Sequence, residues 1–216
     1  MADLRLPLLL IFLSIFYTTS ATKANHTFHG RSRARAYIEA ACRDTRYPDL
    51  CLRCLSGYVD RANATIHSSK DLAEYALSIS LYRARYTRAF LVKVAKELKA
   101  MKAEEYLAVK DCLDQINLSV EQLSMSIKEL RRLGHETKGD HDTIYWHISN
   151  VEAWVSSALT DASNCVDAFP GRRMSKLKAT VKGKVQNVAE LTSNALALFH
   201  RYAARYRGAT AAATKP

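Results

Sequence analysis

Breaks are scarce in this chain. Its 216 residues hold seven glycines and four prolines. Beyond the first two dozen residues only Pro48, Pro170 and Pro216 remain. Gly134 and Gly139 bracket one break, and Gly171 follows Pro170 in another. No glycine-rich phosphate loop, no Gly-x-Ser-x-Gly elbow and no His-Glu-x-x-His occurs. Those absences leave no motif for nucleotide, acyl-transfer or zinc-protease chemistry. Past the N-terminus no apolar run is long enough to span a bilayer. No ER-retention signal ends the chain, which closes Ala-Ala-Ala-Thr-Lys-Pro.

The N-terminus is organised as a secretory leader. Arg5 supplies a positive start, Leu6 to Tyr17 is apolar apart from Ser14, and Thr19-Ser20-Ala21 offers small residues for cleavage. The expectation is a signal peptide at 1–21 and a soluble mature chain outside the cytosol. The rest is long enough for one domain with its own core. Formal net charge is +11, and Asp3 and Arg5 cancel within the leader, so the mature chain keeps it. For a secreted chain, acidic extracellular polymers or an acidic protein face are better partners than nucleic acid. Asn25, Asn63 and Asn117 each head a sequon compatible with glycosylation.

Five cysteines mature where disulfides persist. Cys42 and Cys51 bracket one short segment that Pro48 bends, and Cys112 and Cys165 sit far apart on helical stretches. They read as one local and one long-range staple. Cys54 completes Cys51-Leu-Arg-Cys54, but no second Cys-x-x-Cys follows to make a zinc site. It is expected as the odd, buried thiol. An intermolecular disulfide is the sharper alternative.

Between the breaks the sequence has helical period. From about Glu104 to Leu133, Tyr106, Val109, Leu113, Ile116, Val120, Leu123, Ile127 and Leu130 recur at spacings of three and four. Ser69 to Met101 shows Leu72, Ala76, Ile79, Tyr86, Phe90, Val94 and Met101, with Ser69 and Asp71 marking its start. Asp140 to Val166 shows Ile144, Ile148, Val151, Val155, Ala158, Ala162 and Cys165, with Asp140 as its N-cap. Arg172 to Tyr206 shows Leu177, Val181, Val185, Val188, Leu191, Ala195, Leu198 and Tyr202, with Gly183 a weak spot. Four such helices joined by short breaks predict an all-α, antiparallel up-and-down four-helix bundle over 69–206. Before it, 33–67 is expected to form a small helical hairpin, broken at Tyr47-Pro48 and again near Gly57. Residues 22–32 are an N-terminal segment, and 207–216 a frayed basic tail.

No cluster calls for catalysis, a cofactor or a metal. His135, His141 and His147 do not share a helix face and are expected at the surface or in caps. Trp146 and Trp154 are expected in core or edge packing. Tyr82, Tyr86 and Tyr106 are expected between helices, with hydroxyls at the rim. Arg83, Arg85 and Arg88 interleave with two of those tyrosines, as a recognition stripe or a solvated face with cation–π contacts.

Four blocks resemble the plant invertase and pectin methylesterase inhibitor family, and together they span about Ala36 to Leu198. They are Cys42-Arg-Asp-Thr-Arg-Tyr-Pro-Asp-Leu-Cys51; Asp111-Cys112-Leu113; Val151-Glu-Ala-Trp-Val-Ser-Ser-Ala-Leu-Thr160 with Asn164-Cys165; and Ser193-Asn-Ala-Leu-Ala-Leu198. The resemblance implies disulfides Cys42–Cys51 and Cys112–Cys165, and an inhibitor rather than an enzyme. It implies location in the apoplast and cell wall. Family members block pectin methylesterase by laying bundle helices across its pectin cleft, or acid invertase by inserting a Pro-Lys-Phe loop. Here the segment after Cys165 is Val-Asp-Ala-Phe-Pro-Gly-Arg-Arg. The missing Pro-Lys-Phe favours the esterase. Carried over by position, the contact set is Asp114, Glu121, Glu152, Ser156, Asn164 and Asp167, on the second and third bundle helices. The family commonly has Thr where this chain has Asn164. The implied partner is pectin methylesterase, with acid invertase the alternative. A third reading, from charge, is a cationic structural protein that holds acidic pectin.

Overall fold

The computed structural model describes residues 33–62, 64–133, 141–169 and 175–213, with side chains described up to Tyr206 and from Asp142 in the third of these stretches. All regular structure in them is helical: α1 (33–42), α2 (Pro48–Ala62), α3 (Ser69–Ala100), α4 (Tyr106–Arg132), α5 (His141–Asp167) and α6 (Lys176–Ala213). The chain divides into two compact units at Ala40/Ala41. In the first, the described residues are the helical stretch 33–40. The second holds everything that follows.

In the second unit α3 packs on α4 and α6, and α5 packs on the same two helices. The four helices therefore form a closed ring with α3 and α5 on opposite corners. Short connections make sequential neighbours antiparallel. The stripes of α4, α5 and α6 close the core as expected: Val109, Ile116, Leu123, Val151, Val155, Val181 and Val185 are all buried.

In α3 the expected stripe holds only in part. Of the expected positions Leu72, Ala76 and Val94 are buried but Tyr86 and Met101 are exposed, and Ala73, Leu77, Ser80, Ala84, Thr87, Leu91 and Leu98 complete the buried face. Small residues let the neighbours approach, and the Ser80 hydroxyl satisfies itself on the Ala76 carbonyl at 3.1 Å. Tyr82, expected between helices, is 69% exposed. Lys184, rather than an arginine of the same helix, sits over the Tyr86 and Phe90 rings at 5.0 and 4.8 Å.

The helix ends follow capping chemistry. Ser68, one residue before the expected start, caps α3: Asp71 N–H donates to Ser68 Oγ, and Ser68 N–H to Asp71 Oδ2. At its other end Ala103 N–H reaches the Leu98 carbonyl and Lys102 N–H the Lys99 carbonyl. This is a Schellman closure with Lys102, not glycine, at φ 54°. The expected Asp140 cap lies outside the described residues. α6 continues to Ala213, past the expected fray at Tyr206; Ala209 and Ala211 to Ala213 are strong helix formers.

α2 packs against α3 and α6. It runs unbroken through Gly57, against the expected second break. A single interior glycine costs only about 1 kcal/mol, too little to end a helix that buries Cys51, Leu55 and Val59. The loop before it is tied down three ways. Cys42–Cys51 closes it with Cα atoms 5.6 Å apart. Asn194 of α6, 3% exposed, accepts from Tyr47 N–H at 3.1 Å and donates to the Tyr47 carbonyl at 2.9 Å. Arg201 reaches Asp44 at 2.7 Å.

Candidate partner-binding face

Three contacts set the register of α4 against α5. Cys112 is bonded to Cys165, with Cα atoms 4.7 Å apart. The Ser119 hydroxyl donates to the Ala158 carbonyl at 3.0 Å. Near the far end His147 Nδ1 lies 2.7 Å from Glu129 Oε1. These pairs run in opposite directions along the two chains, so the helices are antiparallel and locked along their length. Small residues at the seam, Ser119 and Ala158, are fully buried.

The last of these contacts is a buried polar cluster that overturns one expectation. His147 is not at the surface: it is 6% exposed, and Glu129 is 3% exposed. Asn150 Nδ2 donates to Glu129 Oε1 at 3.2 Å, and Arg132 Nη1 reaches Oε2 at 3.2 Å. Burial alone pushes the Glu129 carboxyl up. Hydrogen bonds from His147 and Asn150, with the His147 and Arg132 charges, outweigh it and hold the group below its ordinary value. Trp146 beside it is 59% exposed, not core, and stacks edge-on to the His147 ring at 5.0 Å. Trp154 is half-buried. The side chain of His141 and the whole of His135 lie outside the described residues. Among the described residues no group of three or more His, Cys, Asp or Glu could hold a metal.

The six carried-over positions do not form one patch. By the register above, Glu121 on α4 lies level with Ser156 on α5, and both are exposed. Asp114 lies level with the turn of α5 that carries Asn164; these too are exposed, and Asp114 is paired with Lys110 at 3.2 Å. Asp167 is exposed at the end of α5. Glu152 departs from the set. It turns to α6, where its carboxylate lies 3.5 Å from His200 Nε2. The carried-over set did not include Asp161. Burial raises its carboxyl, against the opposing influence of the Gln122 side chain of α4. Asn117 is exposed on α4, whereas Asn25 and Asn63 lie outside the described residues.

Charge separates the corners of the bundle. α5 carries four carboxylates and no lysine or arginine. α4 is balanced, with four acids and four cations. α3 holds seven cations against three acids, and α6 seven against one. The exposed α4/α5 side is thus the anionic face of a strongly cationic protein.

Residues 36–198 match the family described as plant invertase/pectin methylesterase inhibitor. The chain belongs to this family. It is 40% identical over 194 residues to pectinesterase inhibitor 9 of Arabidopsis thaliana, covering 89% of this chain and 93% of the relative. Against pectinesterase inhibitor 11 of the same plant the identity is 37%, covering 92% and 96%. A 21 kDa protein of Daucus carota is 39% identical, covering 81% and 87%. Two solved structures of Arabidopsis pectin methylesterase inhibitors share the fold. A mutant form has TM-score 0.54 at 19% identity, covering 74% of this chain and 92% of that one. The other has TM-score 0.50 at 18% identity, covering 76% and 95%. The family is one of inhibitor domains, not of catalytic ones.

Proposed function

We propose that this protein is a secreted inhibitor of pectin methylesterase. It acts by covering the enzyme's pectin-binding cleft with the α4/α5 face in a one-to-one complex. The observation that carries the reading is the whole-length kinship with relatives that are pectinesterase inhibitors. The physical support is the charge map: α5, free of lysine and arginine, offers carboxylates and hydroxyls where α3 and α6 would offer cations. Glu121 and Asp114 of α4, with Ser156 and Asn164 of α5, supply exposed polar positions at two levels of this face. Glu152 contributes by orienting α5 on α6. Contacts of this kind fix orientation, and a few central ones carry the affinity.

The test is a titration of pectin methylesterase activity with the mature protein, against several isoforms and with acid invertase in parallel. The expected result is stoichiometric loss of esterase activity. Glu121→Lys with Ser156→Lys should weaken inhibition at least about tenfold, since two rim positions then present the wrong charge. No inhibition of any esterase isoform would refute the proposal, and inhibition of invertase alone would transfer the chain to that target.

A further inference from the structure

We propose a binding site for a carboxylated polysaccharide on the corner of the bundle opposite α5. Two clefts adjoin there. One runs between α2 and α3, lined in part by Arg61 and Arg83; the other runs between α3 and α4, lined in part by Arg85, Lys128 and Arg131. Tyr82 borders both, and its ring is 69% exposed on the ridge between them. No carboxylate lines either cleft.

These cations border clefts rather than open solvent. Elsewhere on the bundle some exposed cations pair along or across helices, as Lys110 does with Asp114 and Lys178 with Glu105, and others, such as Lys93, Lys96 and Lys99 of α3, lie on the open helix surface outside these clefts. Here Arg131 alone among the five meets an acid, Glu74 at 2.7 Å. Arg85 of α3 and Lys128 of α4 both line the second cleft, which no carboxylate lines, and Arg83 keeps a buried Nε without a partner. Like charges gathered across a cleft repel unless an anion lies among them. A linear polymer fits better than a compact anion, because the cations are spread over two clefts on either side of one ring. The exposed Tyr82 ring offers an apolar flat surface for the face of a sugar, and the flanking guanidinium groups suit carboxylates. The choice of a polyuronate among polyanions rests on the proposed function, since the esterase removes methyl groups from pectin and leaves carboxylates. The protein would thus be held on the product of the enzyme it inhibits, through the face that the enzyme does not cover.

The experiment measures binding of the mature protein to polygalacturonate without enzyme, with highly methylesterified pectin and polyphosphate as comparison polymers. Esterase inhibition is followed on the same samples. Polygalacturonate should bind, the methylesterified polymer should not, and added salt should weaken binding. Arg85→Glu with Lys128→Glu should lower affinity about tenfold, because each reversal turns a weak attraction into a weak repulsion. Tyr82→Ala should lower affinity for polygalacturonate but not for polyphosphate. The matched control is Arg43→Glu with Lys176→Glu, two exposed cations outside the clefts; it makes the same change in net charge and should lose much less. Equal loss in both double variants would overturn the site in favour of unspecific charge. Preference for polyphosphate would overturn the sugar. Absence of binding with inhibition intact refutes this inference alone, whereas binding without inhibition refutes the proposed function alone.

Discussion

Glu129 carries the sharpest stability prediction. Its Oε1 accepts from His147 Nδ1 at 2.7 Å and from Asn150 Nδ2 at 3.2 Å, and the side chain is 3% exposed. Replacing it with leucine strands two donors. His147 cannot reach water, so its loss is near the full penalty for an unmet buried group; half-buried Asn150 recovers part of its own. Arg132 is 52% exposed and loses little. The sum is about 3 kcal/mol for Glu129→Leu. Adding His147→Leu removes the stranded donor with its partner. The double variant should be less destabilised than the sum of the singles, by roughly 1–2 kcal/mol. Glu129→Gln keeps an acceptor but not the charge, and it supplies the pH test. The folded carboxyl holds its proton more weakly than the unfolded one, because its value is lowered. Unfolding at acid pH therefore takes up a proton, and stability falls as pH falls. The advantage of wild type over Glu129→Gln should be full above the ordinary value of 4.5 and shrink as pH drops below it. Urea unfolding followed by circular dichroism between pH 3 and 7 measures all of this. A flat difference across that range, or a Glu129→Leu loss under about 1 kcal/mol, would refute the account of the cluster.

Removing Cys112–Cys165, which closes a span of 53 residues, should cost about 4 kcal/mol, and removing Cys42–Cys51, with a span of nine, about 3 kcal/mol. Unfolding of the paired alanine variants checks the order, and a larger loss from the shorter loop would contradict it. Asn194→Ala should cost about 1–2 kcal/mol, since it leaves Tyr47 N–H without its partner while the Tyr47 carbonyl keeps Cys51 N–H; protease cleavage at the 43–47 loop should rise with it. Lys102→Gly should stabilise by about 0.5–1 kcal/mol by relieving the left-handed position. Gly183→Ala should gain a similar amount, because it is a helix interior position where an added methyl meets nothing within 4 Å. A loss of stability in either variant, read by thermal unfolding, would count against the local geometry.

How much of this was legible in the chain depended on what each helix buries. α4, α5 and α6 bury large aliphatic side chains at spacings of three and four, so their stripes and the bundle could be derived by counting. α3 buries alanine, serine and threonine among its leucines, and its large side chains Tyr82 and Tyr86 are exposed. A hydropathy pattern follows size, so there it found Leu72, Ala76 and Val94 but also took in the exposed Tyr86. The Glu129–His147 pair was hidden for another reason. A histidine and a glutamate on different helices meet only once the helix register is known, and Cys112–Cys165 fixes that register. Cys54 was expected to be buried; it is half-buried and borders the α2/α3 cleft, a position that depends on where α2 docks. The contact set suffered similarly. The family's positions placed Glu152 with the contact set; on α5 it lies one turn from Ser156, and its carboxylate meets His200 of α6.

Net charge was the least informative number taken alone. The value of +11 describes no part of the surface. Ring order in the bundle puts the cationic α3 diagonal to α5, while α6, also with seven cations, is the neighbour of α5, so the anionic field is confined to the α4/α5 side. The Debye length at physiological ionic strength is about 8 Å, shorter than the bundle is wide, so each face presents its own sign to a partner. Topology, rather than composition, therefore lets one small domain offer an anionic face to an enzyme and a cationic face to a polymer. It also makes the two proposed interactions separable: reversing charges at Arg85 and Lys128 should leave inhibition intact, and reversing Glu121 should leave polymer binding intact. A variant at either corner that abolished both would show that the faces are not independent.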